Sequence, residues 1–367
     1  MQILGIDLGF GFTKATDGER SLVVKSVIGE ATDGRLGGPM PEARLGNDHL
    51  HLELEDRGVF VGDLAERQSS LRSFTLDQDR FIADAAKILA LAVACDLTDA
   101  DEPIGVVTGL PISTFRQKAD ELGRLLRDRH ALTTIAPDGT RARRILEIRD
   151  VKVIPQPFGS MYDVVLDDAG SVGDRQTLQQ KVGIVDVGFQ TSDLTVSDRG
   201  TFLERASQST ETGVGRAFAT IAGKIREKSG VSVELYRLYE AMQDGRIKIR
   251  GESFDLSRLI EHVLTQLATD IAAEANRLWA DEWDMDAIVI TGGGGAVLAP
   301  YLSPLLSGRV LPVDNTRDAR LNNVRGFWKL GVQTWGAPAP AATAAEPEPA
   351  LVGAKDNGEA QRPALPY

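Results

Sequence analysis

The sequence predicts an α/β fold built from two duplicated halves that face each other across a cleft. Three observations point there. A signature of apolar strand, aspartate and glycine turn occurs twice, as Gly5-Ile6-Asp7-Leu8-Gly9-Phe10 and as Ile184-Val185-Asp186-Val187-Gly188-Phe189. Strand and helix patterns alternate after each copy, as α/β architectures require. The chain's 367 residues exceed what one core comfortably holds and suit two domains.

The elements follow in order. Ile3-Leu4-Gly5-Ile6 reads as a strand, and Phe12-Thr13-Lys14-Ala15 returns from a glycine turn. Asp17-Gly18 signals a hairpin into Ser21-Leu22-Val23-Val24. Residues 29–58 are polar and glycine-rich and predict an elaborated loop. Apolar residues at helical spacing predict a helix over 81–95, and charges opposite Leu122, Leu125 and Leu126 predict an amphipathic one over 113–129. Ile104 to Val107 is a buried-strand pattern between them. In the second half, Val182 to Asp186 is a strand and Gln190 to Val196 its polar return. Helices are predicted over 214–228, 233–243 and 256–283, then a buried strand Ala287-Ile288-Val289-Ile290 that runs into Thr291-Gly292-Gly293-Gly294-Gly295. From Ala337 the chain is rich in Pro, Ala and Glu without apolar periodicity, so 337–367 is expected to be a disordered tail.

Composition excludes several classes. No apolar run is long enough for a membrane span, and the N-terminus enters a strand pattern without a signal-peptide form. Cys95 is the single cysteine, so no intrachain disulfide can form, which fits a cytoplasmic protein. Four histidines (His49, His51, His130, His262) and one cysteine argue against a dedicated zinc site, and His49/His51 reads as a polar strand face. A net charge of −12 disfavours direct duplex DNA binding, which needs concentrated basic charge. The basic cluster Arg141, Arg143 and Arg144 reads as a solvated strand face or a partner contact. Any action on DNA would pass through an adaptor protein.

The repeated signature has chemistry in it. Gly9 and Gly11 permit a tight turn whose amides point outward together, a nest that suits phosphate oxygens. Lys14 adds positive charge, and Asp7 a carboxylate suited to holding Mg²⁺ through its water shell. Asp186, Gly188, Gln190 and Thr191 repeat the arrangement, so two loops can clamp a phosphate pair from both sides. The glycine run lets backbone approach a flat ligand closely. No Gly-x-x-x-x-Gly-Lys-[Ser/Thr] element is present, and the first loop does not open a helix as a dinucleotide fingerprint would.

These motifs in this order resemble the actin, sugar-kinase and heat-shock-chaperone superfamily, and within it the bacterial actin-like proteins of the ParM type. Val59 to Ala65, Val107-Thr108-Gly109-Leu110-Pro111, Ile154-Pro155-Gln156-Pro157-Phe158-Gly159 and Asn322-Asn323-Val324-Arg325-Gly326-Phe327 extend the likeness over nearly the whole folded part. The resemblance implies an actin-like fold with two duplicated domains around a nucleotide cleft. Domain I would span 1–165, completed by 320–336, and domain II 166–319. It implies that Gly9, Gly11, Phe12, Thr13 and Lys14 hold phosphates opposite Gly188, Gln190 and Thr191. Gly213, Gly292, Gly293 and Gly294 would lie near the nucleoside. Asp7 and Asp186 would organise Mg²⁺ through water. Gln156 would position the attacking water, or else satisfy a Pro-flanked bend.

The function so implied is an ATPase, with GTP also possible, that polymerises with copies of itself for plasmid or other cargo segregation. A small-molecule kinase of the same superfamily and a non-polymerising nucleotide switch are the alternatives. A kinase needs a carboxylate base beside an acceptor hydroxyl, and no segment carries an evident sugar-binding signature. The tail cannot supply a chaperone's substrate domain.

Overall fold

The computed structural model describes residues 1–31, 50–98, 102–311 and 317–336. Strands of the first half are β1 (Gln2–Leu8), β2 (Phe12–Thr16), β3 (Ser21–Lys25), β4 (Ile28–Glu30), β5 (Leu50–Leu54), β6 (Arg57–Val61), β7 (Arg72–Ser73), β8 (Ile104–Leu110), β9 (Arg129–Ile135) and β10 (Arg141–Pro155). They join in the order β3-β2-β1-β8-β10-β9-β5-β6-β4-β7. The strand β10 belongs to two surfaces. Residues 141–147 pair antiparallel with β9, and residues 148–155 pair parallel with β8, with a register shift between Ile148 and Asp150. Such an irregularity sharpens the local twist, so the outer strands turn away from the central ones.

The second half contains β11 (Lys181–Val187), β12 (Ser192–Asp198), β13 (Thr201–Phe202), β14 (Gln208–Thr210), a separate hairpin of β15 (Arg246–Ile249) and β16 (Glu252–Asp255), and β17 (Ala287–Thr291). Its sheet runs β13-β12-β11-β17, with β14 on β12 and a parallel bridge from Ile288 to Val310 beyond β17. The duplication is therefore topological. Each signature strand pairs antiparallel with the strand after it and parallel with a later one, and the register matches too. Asp7 lies opposite Lys14, and Asp186 opposite Asp193.

Helices cover these sheets. Gln78–Arg80, a π-helical stretch Phe81–Ala85 and Ala86–Leu97 run on from one another, and Ala86–Leu97 is buried almost all round beside Leu4, Ile6 and Val106. In the second half Gly215–Ser229, Ser257–Leu278 and Gly293–Leu302 bury Ile221, Leu267, Ile271 and Leu298 with Val185, Leu194 and Ile290. Helices Phe158–Val165 and Asn322–Trp335 cross each other, and the second also lies on β1 and β8. They meet at Gly159 and Gly326. A Cβ on Gly326 would overlap the Gly159 carbonyl, so the crossing exists only because neither residue has a side chain.

Some expected boundaries move. Residues 50–58 are not loop but β5, the turn and the start of β6, in which Leu50, Leu52, Val59 and Val61 alternate into the core. Leu50, Leu52 and Leu54 alternate with His51 and Glu53 over only five residues beside a charged turn, too short a pattern to read. The rest of the expected loop, 32–49, lies outside the described residues, as does the 337–367 tail. The helix expected to reach residue 283 stops at Leu278, because the chain turns to bury Trp279 and give its indole N–H to Ala206 O at 3.0 Å. The helix expected to reach 129 stops at Leu126, since Arg129 and His130 join β9. His49 is not among the described residues, and His51 packs on Phe60 with rings 4.6 Å apart. Arg141 pairs with Glu53, and Arg144 donates to Thr98 O at 2.6 Å. No described helix is long and apolar enough to cross a membrane.

Candidate functional site

The two signature strands end on opposite walls of one cleft. Gly9, Gly11, Phe12, Lys14 and Gln156 line one wall, and Asp186, Gly188, Gln190, Thr191, Gly293 and Gly294 the other. Eleven of the residues marked in the sequence thus come together. Asp7 lies just beneath the first loop, 1% exposed. Thr13 does not face the cleft: strand alternation turns it to the other side, where its hydroxyl sits 3.0 Å from Ser26 Oγ. Gly213 supports the second loop from behind, donating its N–H to Gln190 O at 2.9 Å. Gly292, with φ +84°, lies against the Asp186 carboxylate where a Cβ would collide with it. Its role there is to admit the carboxylate, as helix Gly293–Leu302 starts at the next residue.

The two loops are built alike. The carbonyls of Gly9 and Gly11 accept from Ser26 Oγ at 2.6 Å and Ser26 N at 3.0 Å. The carbonyls of Gly188, Phe189 and Gln190 accept from the amides of Val214, Gly215 and Gly213 at 3.1, 2.7 and 2.9 Å. Carbonyls tied back in this way keep acceptor oxygens from repelling an anion in the cleft. Gln190 Oε1 is buried and has no partner among the described residues, so it awaits a donor from a ligand or water.

Electrostatics favour a cation. Asp7, Asp186 and Asp193 are 1%, 2% and 3% exposed. Lys14 Nζ touches Asp7 Oδ2 at 2.8 Å, and Gln156 Nε2 donates to Asp7 Oδ1 at 3.1 Å. Burial pushes the Asp186 carboxyl up to about 6, helped by the nearby Asp7 charge and opposed by the hydrogen bond from Asn323. Burial pushes Asp193 up to about 7, aided by Asp186 and opposed by the hydroxyl of Ser209. A divalent ion would offset this excess of negative charge. Among the described residues no three His, Cys, Asp or Glu side chains cluster closely enough to cage a metal. Ligand oxygens and waters would have to complete its shell.

Aromatic residues line part of the cleft and pack on one another beside it. Tyr239 packs on Phe12 with ring centroids 4.4 Å apart, and on Phe189 and Phe218 at 5.8 and 5.2 Å. Phe74 meets Phe189 and Tyr236 at 5.9 and 5.7 Å. Val27 and Ala65 of the first half share a buried cluster with Tyr236 of the second. The sequence reading missed Tyr239, Arg320 and Asp193 as cleft residues. Tyr239 carried no local signal. Asp193 did, since it stands seven residues after Asp186, as Lys14 stands after Asp7, and aligning the two copies would have exposed it.

Comparison with known proteins agrees with this architecture. Residues 5–159 match the family model for the N-terminal domain of actin-like proteins. Residues 184–303 match that for the C-terminal domain of the archaeal MreB-like actin homologue. No curated protein matches the chain in sequence. Among solved structures, a non-polymerisable quadruple mutant of pCBH ParM superposes with a TM-score of 0.74 at 24% identity, covering 90% of this chain and 99% of that one. A 15-stranded ParM filament from Clostridium botulinum gives 0.74 at 23% identity, with the same coverage. An archaeal actin homologue in complex with ADP gives 0.69 at 18% identity, covering 90% and 99%. The fold is actin-like, and each half of the chain matches a family model from among the actin-like proteins.

Proposed function

We propose that the chain is an ATPase that binds Mg-ATP between its two halves and assembles with copies of itself into nucleotide-dependent filaments. The observation that carries this is the pair of matched loops, each with its carbonyls tied back and a buried aspartate beneath it. Two such loops facing each other suit a polyphosphate held from both sides. Lys14, Gly9, Gly11 and Phe12 would hold it from the first half, and Gly188, Gln190 and Thr191 from the second. Asp7 and Asp186 would hold the waters of Mg²⁺, which on binding neutralises charge on the phosphates. Gln156 reaches Asp7 from the edge of the cleft, where its amide can orient a water. Orientation and electrostatics are the main demands of phosphoryl transfer. Val214, Phe218, Met242, Leu264 and Val297 give the cleft an apolar end beside Gly293 and Gly294, suited to a nucleobase, adenine or guanine. One structural relative holds ADP, and another is a filament.

Domains of 1–165 with 320–336, and of 166–319, would move as the two bodies. Contacts from both bodies to the same phosphates favour closure, and loss of the terminal phosphate releases it. A closed form that binds copies head to tail makes an open filament. Plasmid or cargo segregation in the cytoplasm through a DNA-binding adaptor is the cellular role we infer. The test is sedimentation and electron microscopy of the purified chain with Mg²⁺ and ATP, ADP or a non-hydrolysable analogue. Filaments that depend on nucleotide above a critical concentration support the reading. Tight ATP binding with no assembly under any nucleotide would move it to a switch or a small-molecule kinase.

A further inference from the structure

The two segments that join the halves end in matching ways. Gln156, just before helix Phe158–Val165, gives its amide N–H to Asp7. Asn323, in the first turn of helix Asn322–Trp335, gives its Nδ2 to Asp186 Oδ2 at 2.7 Å. Each aspartate of the duplicated signature is therefore held by one side-chain amide from one crossing helix or its lead-in.

The second amide is the more constrained. Asn323 Oδ1 accepts from the Ser160 backbone N–H at 2.9 Å and from Ser160 Oγ at 2.6 Å. Ser160 Oγ is in turn 2.6 Å from Thr291 Oγ1. A backbone N–H can only donate, so it fixes which end of the carboxamide is oxygen and aims Nδ2 at Asp186. Ser160, Thr291, Asn323 and Asp186 are all buried. A partner lost there is not replaced by bulk water, which makes each bond costly to break.

We propose that Asn323 is a positioning residue that sets the aim of the Asp186 carboxylate and ties it to the angle of the crossing helices. The proposal rests on the reading of the cleft as a Mg-nucleotide site. Ser160 and Asn323 stand on the two crossing helices, while Thr291 and Asp186 stand on neighbouring strands of the second sheet. Rotation of the helix pair against that sheet must stretch the Asn323–Asp186 bond or the Ser160–Thr291 bond. The carboxylate then follows the helix pair or loses its partner, so the angle of the crossing helices reaches the ion-organising group through one amide. Gln156 is only partly buried, and among the described residues no comparable pair of donors clamps its side-chain Oε1.

The experiment measures the affinity of the full chain for a fluorescent ADP in Mg²⁺ and in EDTA, for wild type, Asn323→Ala, Asp186→Ala and the double variant. Asn323→Ala is expected to cut the Mg²⁺-dependent gain in affinity about 10-fold, as loss of a group that orients a metal-organising carboxylate does, and to leave the EDTA affinity within about 2-fold. In the Asp186→Ala background, Asn323→Ala should add nothing, because its effect passes through Asp186. An unchanged Mg²⁺ gain in Asn323→Ala overturns the proposal, and so does an undiminished effect in the Asp186→Ala background. If Asn323→Ala fails to fold, Ser160→Ala decides. It keeps the amide and the backbone N–H that orients it but removes the hydroxyl that braces Asn323 Oδ1 and reaches Thr291, and should lose about 3-fold of the gain; no loss overturns the proposal. ADP binding by wild type that ignores Mg²⁺, or no binding at all, instead overturns the reading of the cleft and this inference with it.

Discussion

Asp193 is a carboxylate that the fold holds where ionisation is costly. Its folded value of about 7 lies well above the ordinary 3.8, because burial and the charge of Asp186 outweigh the hydrogen bond from Ser209. The folded chain therefore keeps a proton that the unfolded chain has released, and this group lowers stability as pH rises from about 4 to about 7. Asp193→Asn removes that cost and keeps an oxygen for Ser209 and the Ile112 N–H. Without divalent ions, the variant should melt higher than wild type at pH 8, with the gap shrinking towards pH 5. A gap independent of pH would mean that Asp193 does not titrate in this range. Gln156 makes a different claim at the same scale. Gln156→Ala should slow phosphate release about 10- to 100-fold while ATP affinity changes less than about 3-fold, as expected for a group that orients water. Equal losses in rate and affinity would leave Gln156 a structural residue of its Pro-flanked bend.

At the scale of elements, the crossing of Phe158–Val165 and Asn322–Trp335 concentrates the fold's demands. Buried Asp163 takes a two-pronged contact from Arg325 at 2.9 and 3.0 Å and lies 3.1 Å from Lys329 Nζ, across the same crossing. Phe158, Phe327 and Leu330 fill the space beneath with Val107 and Ile154. Gly326→Ala has no flexible side chain to push aside, since the obstruction is the Gly159 carbonyl and the Asp163 backbone N–H. Overpacking against rigid backbone should cost about 3 kcal/mol or more, read as a lower urea midpoint at unchanged slope. Gly223→Ala lies on an open helical face with nothing within 4 Å and should be neutral or slightly stabilising. Similar effects at both positions would show that the crossing is looser than its geometry.

Across the whole molecule, the halves are joined at both sides of the cleft, by the crossing helices and by the aromatic contacts of Phe74, Tyr236 and Tyr239. The ion pairs Arg72–Glu234 at 3.4 Å and Arg237–Glu66 at 3.7 Å flank the aromatic side. Exposed pairs of this kind contribute little, so the rings carry that contact. Tyr239→Ala should speed dissociation of a fluorescent ADP about 10-fold, by removing ring contact with Phe12 over the first loop. An unchanged dissociation rate would mean that this side does not gate the cleft. Met1–Gly336 forms one compact unit that contains both sheets and the crossing helices. Truncation after Gly336 should leave the melting transition in place, and its loss would give the tail a part in folding.

Much of this was written locally. The repeated Asp-x-Gly signature announced the duplication, because a strand, a carboxylate and a glycine turn must be adjacent in sequence to make one loop. The long helices were legible for the same reason, since their periodicity is local. Gln156 and the glycine run could be marked because short motifs carry them. What the sequence did not decide was which residues meet across the cleft. Thr13 turned away although its neighbours Phe12 and Lys14 face inward, a matter of strand alternation that one register decision fixes. Strand β5 hid in a charged segment because its partners, β6 and β9, make it a strand. Asn323 and Asp186 lie 137 residues apart, and Tyr239 reaches Phe12 from the opposite half. Such pairings arise only when packing brings distant segments together. Local chemistry thus set the loops and their charges, and tertiary packing decided what holds the carboxylates in place.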